Sequence, residues 1–130
     1  MVVDTSALVA YLLAEPERAR LLVAMQGAST LVVSAASVLE ASMVLLGRRG
    51  DEAVRELDAL LDRLAVAVVP VTLATALRAR DAFAQYGKGR HPAALNFGDC
   101  FSYALAVERG EPLLFVGNDF SRTNVSAAPY

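Results

Sequence analysis

The sequence predicts an α/β fold: a mostly parallel sheet of four to five strands, flanked by helices on both faces. Three observations carry this reading. Short apolar runs rich in β-branched residues recur at Val2–Val3, Leu31–Ser34, Ala67–Val71 and Pro112–Val116. A segment suited to helix separates each run from the next, often behind a capping residue. The runs themselves are continuously apolar, as expected of strands covered on both sides. At 130 residues the chain fits a single domain, residues 1–130, with a core of useful size. No internal repeat or linker divides it.

The elements follow in order. Val2–Val3 lead to Asp4, and Thr5 and Ser6 open a helix over ALVAYLLAE. Pro16 suits the first turn of a further helix through about Met25. Ser34 ends the second strand and caps AASVLEASMVLLG. Gly47 and Gly50 bound a turn, and Asp51 opens an amphipathic helix to about Leu64. The third strand spans Ala67–Val71, and Thr72 caps a helix to about Tyr86. Gly87–Pro92, reading GKGRHP, is the clearest loop. A helix beginning near Ala93, or at Asn96–Asp99, runs to Arg109. Pro112–Val116 is the fourth strand, GNDF turns out of it, and the tail adds a short edge strand at most.

Bulk properties narrow the function. The hydrophobic fraction is 55% and the mean hydropathy +0.43, high for a small soluble domain. No apolar run approaches the roughly 18–20 residues of a membrane span, and the N-terminal residues do not read as a signal peptide. The apolar surplus therefore suits a covered surface, against a second subunit, a bound peptide or both. Cys100 is the single cysteine, which leaves no internal disulfide or cysteine-cluster metal site and fits a reducing, cytoplasmic setting. A formal charge of −2 argues against a broad basic face for nonspecific DNA binding.

The most informative feature is a set of four solitary carboxylates. Asp4, Glu40, Asp99 and Asp119 each stand alone in an uncharged stretch, whereas the other ten acids sit among other charges. An ionised carboxylate in apolar surroundings costs several kcal/mol, roughly, unless it is compensated. Each acid also has a plainer explanation. Asp4 could bond to the turn at its strand end. Glu40 could close a capping box with Ser37, although Ser34 is better placed to cap that helix. Asp99 could answer the helix dipole, and Asp119 could cap a short helix. Ligands of parallel sheets bind at the carboxyl ends of the strands, a rim that all four can reach. Oxygen-only donors select hard ions, so Mg²⁺, or Mn²⁺, is the expected occupant. Such a site suits hydrolysis of phosphodiesters.

These residues resemble the motifs of the PIN-domain ribonucleases, and within them the VapC-type toxins of toxin–antitoxin pairs. VVDTSALVAYL is similar to the opening strand with its first metal-binding Asp, here Asp4. ASVLEA is similar to the segment with the helical Glu, here Glu40. LNFGDCFSYALA is similar to the central motif, its Asp here Asp99, and LLFVGNDF to the last strand and acidic turn, here Asp119. The resemblance implies a single PIN domain and a Mg²⁺-dependent endoribonuclease, with Asp4 and Asp99 on the metal and Glu40 supporting the metal or the attacking water. Thr5, Ser6 and Asn118 are expected to support the acids by hydrogen bonds. The fourth position departs from the family pattern, because Gly117 and Asn118 stand where many members carry acids. The resemblance also implies a cognate antitoxin and a homodimer.

Lys88, Arg90 and His91 form the best candidate contact for RNA phosphates, between glycines that let backbone approach a ligand. Leu8, Tyr11, Leu12, Leu21, Leu22 and Val44–Leu46 could frame a groove for a partner helix with Arg48 and Arg49 at its rim, or could simply be core. Two other classes are open: a catalytically silent PIN-like module that binds RNA or protein, and a phosphoacceptor receiver domain. The receiver needs paired acids after its first strand and a lysine after its last. Here Asp4 is alone and Lys88 lies in mid-chain.

Overall fold

The computed structural model describes residues 1–130. Four strands, β1 (Val2–Val3), β2 (Val32–Ser34), β3 (Ala67–Val69) and β4 (Leu113–Leu114), form one sheet in the order β3-β2-β1-β4. All neighbours are parallel, with Val2 opposite both Val32 and Leu113. The tail adds a single parallel bridge, Ala127 to Leu113. A fifth strand is therefore reduced to one pairing.

Helices α1 (Thr5–Leu12), α2 (Arg18–Gly27), α3 (Ala35–Arg49), α4 (Asp51–Arg63), α5 (Leu73–Tyr86) and α6 (Phe97–Arg109) connect the strands. Successive strand residues point to opposite faces, and this alternation separates two cores. Val3, Val33 and Leu114 pack with residues of α1 to α4, such as Leu8, Leu21, Leu45 and Leu57. Val2, Val32 and Leu113 pack with α5 and α6 through Ala79, Ala82, Tyr86, Cys100 and Ala104. The charged helix α4 buries Ala53, Leu57, Leu60 and Leu61, a stripe at helical spacing.

Strand β1 lies between β2 and β4 although the chain proceeds 1-2-3 before returning to 4. The direction of winding reverses between β1 and β4, which makes their carboxyl ends the natural ligand crevice. Both β1 and β2 run straight into helices whose caps are the residues at the strand ends. Asp4 accepts from the Ser6 amide and Ser34 from the Ala36 amide.

Several boundaries differ from the sequence reading. Pro16 lies in a turn ahead of α2 rather than in its first turn, and Arg18 is the first helical residue. Gly47 is an exposed residue inside α3; the break falls at Gly50, whose φ of +76° favours glycine. β3 stops at Val69 because Pro70 has no amide hydrogen for the ladder. β4 stops at Leu114, and the Val116 amide donates to Ser6 Oγ instead. The proposed groove residues Leu8, Tyr11, Leu12, Leu21 and Leu45 are buried, so the plainer reading as core holds for them.

Two helix ends were not visible in the sequence. After α1, Glu15 N donates to Ala10 O and Ala14 N to Tyr11 O, with Ala14 at φ +58°. After α4, Val66 N donates to Leu61 O and Ala65 N to Asp62 O, with Ala65 at φ +49°. Both are six-to-one closures of the kind glycine usually makes, here made by alanine against a left-handed penalty of about 1–2 kcal/mol. Ala65→Gly is expected to stabilise the fold by about 0.5–1 kcal/mol, the strain relief exceeding glycine's extra chain entropy. Chemical denaturation checks this, and a fall in the unfolding midpoint would contradict it.

Candidate active site

Asp4 stands at the carboxyl end of β1, 2% exposed. Its Oδ2 accepts from the Ser6 amide at 2.9 Å and from Ser6 Oγ at 2.6 Å. Its Oδ1 is buried and has no hydrogen-bond partner. The capping explanation is thus realised, but by one oxygen only. A buried carboxylate oxygen left unpaired is costly, which makes Oδ1 a place where a cation would be welcome. Ser6 Oγ also accepts from the Val116 amide at 3.0 Å and so ties the exit of β4 to Asp4.

Asp99 occupies the first turn of α6 in a reciprocal capping box. The Asn96 amide donates to Asp99 Oδ2 at 2.8 Å, and the Asp99 amide to Asn96 Oδ1 at 3.0 Å. Burial raises its pKa to about 6 against the relief offered by the Asn96 amide, and the negative charges of Asp4, Asp119 and Glu40 push the same way. The four solitary acids therefore share one electrostatic environment.

Glu40 is half-buried in α3 and takes no part in a capping box, since Ser34 caps that helix. Instead Thr5 Oγ1 donates to Glu40 Oε2 at 2.6 Å. Asp119 is exposed in the turn after β4, where Gly117 takes a φ of +105°. It precedes the short 3₁₀ turn Phe120–Arg122 without making a side-chain capping bond. Its nearness to the cluster is felt through Asp99 rather than through contact.

The acids share a rim without forming a tight cage, because no three acidic, histidine or cysteine side chains converge closely enough to hold an ion by themselves. Like charges account for such spacing. An all-oxygen donor set with an unpaired buried oxygen suits a hard divalent ion that keeps several waters. Asp4 and Asp99 are residues that could hold it.

Other expected residues fare differently. Asn118 is exposed, and its carbonyl accepts from Ser121 Oγ at 2.6 Å; no hydrogen bond joins it to the acids. Lys88 and Arg90 are exposed, with Arg90 5.9 Å from the Phe83 ring. Their loop is pinched shut rather than free, by Lys88 N to Leu95 O and Leu95 N to Tyr86 O, each 2.9 Å. Half-buried His91 is anchored in it: Nδ1 accepts from the Ala93 amide at 3.1 Å and the ring meets Tyr86 edge-on. The sequence reading overlooked Gly98. It lies against the Glu40 carboxylate, and the available signal was a glycine in the first turn of a helix.

A PIN-domain family profile matches residues 1–125. Ribonuclease VapC30 of Mycobacterium tuberculosis H37Rv is 49% identical over 97% of this chain and 96% of its own length. Ribonuclease VapC of Mycolicibacterium smegmatis is 50% identical over 98% of each chain. The chain therefore belongs to the PIN-domain family, within it to the VapC-type ribonucleases. In fold it is similar to M. tuberculosis VapC20, described as a sarcin-ricin loop cleaving toxin, with a TM-score of 0.82 and 19% identity over 99% and 98% of the two chains. It is also similar to a toxin–antitoxin complex from Klebsiella pneumoniae, with a TM-score of 0.74 and 18% identity over 99% and 97%. This assignment removes the receiver-domain reading. No helix is long and apolar enough to cross a membrane.

The raised pKa of Asp99 has a signed consequence. Between the ordinary 3.8 and about 6 the folded chain binds more protons than the unfolded one, so metal-free stability falls as pH rises through that window. Asp99→Asn should therefore melt higher than the native chain at pH 7 in chelator, with the difference shrinking toward pH 4. Thermal melts across that range test it; a constant difference would contradict the assignment.

Proposed function

We propose that this chain is a divalent-metal-dependent endoribonuclease, the toxin of a toxin–antitoxin pair restrained by a cognate antitoxin. The observation that carries the metal-dependent reading is the unpaired, buried Asp4 Oδ1 facing an acid set that includes Asp99. The ribonuclease reading is supported by relatives named as ribonucleases at 49–50% identity. The antitoxin follows from VapC-type membership.

Asp4 and Asp99 would hold Mg²⁺, with Mn²⁺ an alternative. Such an ion supplies positive charge at the scissile phosphate and makes water more acidic. Thr5 engages Glu40 through Oε2, leaving the other oxygen to orient and deprotonate the attacking water. Asp119 extends the acid set at its solvent side. Lys88 and Arg90 contact RNA phosphates away from the cleaved bond, while His91 holds their loop in shape. Hydrolysis leaves a 5′-phosphate and a 3′-hydroxyl. Relatives named as ribonucleases favour an active enzyme over a catalytically silent binding module.

The homodimer is proposed to form across an apolar face of α3, α5 and α6. On α3, Leu39 and Met43 are 63% and 66% exposed, on α6 Phe97 is 80% exposed, and Leu77 and Phe83 on α5 are exposed as well. Phe97 stacks edge-on against Phe101, and both line a largely apolar hollow with Phe83, Ala76 and Arg80. Exposed aromatic side chains clustered in this way suit an association surface.

Asp4→Asn is expected to lower RNA cleavage by at least about a hundred-fold while the chain stays folded. Excess EDTA should abolish native cleavage and Mg²⁺ restore it; undiminished cleavage in EDTA would refute the metal's role. For the dimer, Phe97→Glu combined with Met43→Glu should halve the mass seen by light scattering. A native chain that is already monomeric at high concentration would count against that interface.

A further inference from the structure

The Glu40 carboxylate is seated between two residues, each the chain neighbour of a proposed metal ligand. On one side Thr5, next to Asp4, donates its hydroxyl to Oε2 at 2.6 Å and lies 3.4 Å from the Ser37 carbonyl. On the other side lies Gly98, next to Asp99. A Cβ at Gly98 would collide with both Glu40 oxygens and with Cδ. Gly98 is buried, and its helical backbone is one that any residue adopts. Backbone conformation therefore gives no reason for glycine here. A buried hydroxyl bridge, Ser37 Oγ to Ser102 Oγ at 3.1 Å, joins α3 to α6, so widening the seat by sliding the helices apart would break it.

We propose that Gly98 is a positioning residue for the cleavage reaction: its missing side chain is the space that the Glu40 carboxylate occupies while bonded to Thr5. This rests on the ribonuclease reading and adds to it a residue whose role is the absence of a side chain. Alanine at position 98 evicts a flexible side-chain end rather than backbone, so the fold survives and Glu40 swings out of the acid set. Alanine also improves helix propensity. Stability and activity should therefore move apart, the reverse of what a packing role for Gly98 would give.

The test is Gly98→Ala, alone and combined with Glu40→Ala, in single-turnover cleavage of an RNA with Mg²⁺, alongside thermal melts in EDTA. Gly98→Ala should lower the cleavage rate about a hundred-fold, the scale of a misplaced catalytic group, with an unchanged or higher melting temperature. In the Glu40→Ala background it should cost nothing further, because both changes act through one carboxylate. Thr5→Val, which removes the hydroxyl at nearly constant volume, should behave in the same way. Undiminished cleavage by Gly98→Ala, or a loss that multiplies with that of Glu40→Ala, would overturn the proposal. A crystal structure of Gly98→Ala decides the matter without activity: Glu40 turned away from Thr5 supports it, and Glu40 in place overturns it. A native chain inert on RNA defeats the ribonuclease reading while leaving that structural comparison standing.

Discussion

The two oxygens of the Asp4 carboxylate face different demands, and much of the molecule is arranged around the difference. Oδ2 closes the turn from β1 into α1 and, through Ser6, reaches the backbone at the end of β4. Oδ1 is enclosed by the same packing and given nothing to bond to. The enclosure comes from the sheet: β1 has a neighbour on each side and a core on each face, so whatever ends it is buried. A neutral residue there would satisfy the helix cap. A carboxylate satisfies the cap and leaves a second buried oxygen without a partner.

Asp99 shows the same economy. Its side chain caps α6 through the Asn96 amide, yet burial and three neighbouring acids keep its pKa near 6. Helix capping and the acid cluster are therefore alternative descriptions of one arrangement. The caps hold the carboxylates at the crevice between β1 and β4, and the crevice makes their charge expensive. Glu40, on the long helix α3, is held instead by the Thr5 hydroxyl, with the space at Gly98 beside it.

What the sequence made legible was the part written in local chemistry. Paired valines, capping hydroxyls and solitary acids pointed to the strands, to most helix starts and to the four acids that share one electrostatic environment, because each depends on a residue's own preferences and immediate neighbours. Features that depend on approach between distant segments stayed hidden. Gly98 reads as an indifferent glycine until α3 is placed beside it. Ala14 and Ala65 gave no sign of ending helices, since alanine does not favour positive φ. His91 looked like a free side chain because nothing local shows its ring turned inward to bond the Ala93 amide. The exposed apolar residues Leu39, Met43 and Phe97 are indistinguishable from core by composition alone.

The position of β1 also bears on the order in which the molecule can come together. This strand is among the first residues of the chain, yet one of its neighbours, β4, arrives more than a hundred residues later, and Ser6 bonds to Val116 across 110 positions. Contacts so far apart in sequence are among the last that a folding chain secures. Asp4 has no bonded tie across the crevice until β4 is in place. Asp99 likewise lacks the completed sheet beneath it. The acid crevice is thus a product of closing the chain on itself: one of its two walls comes from the first strand and the other from the last.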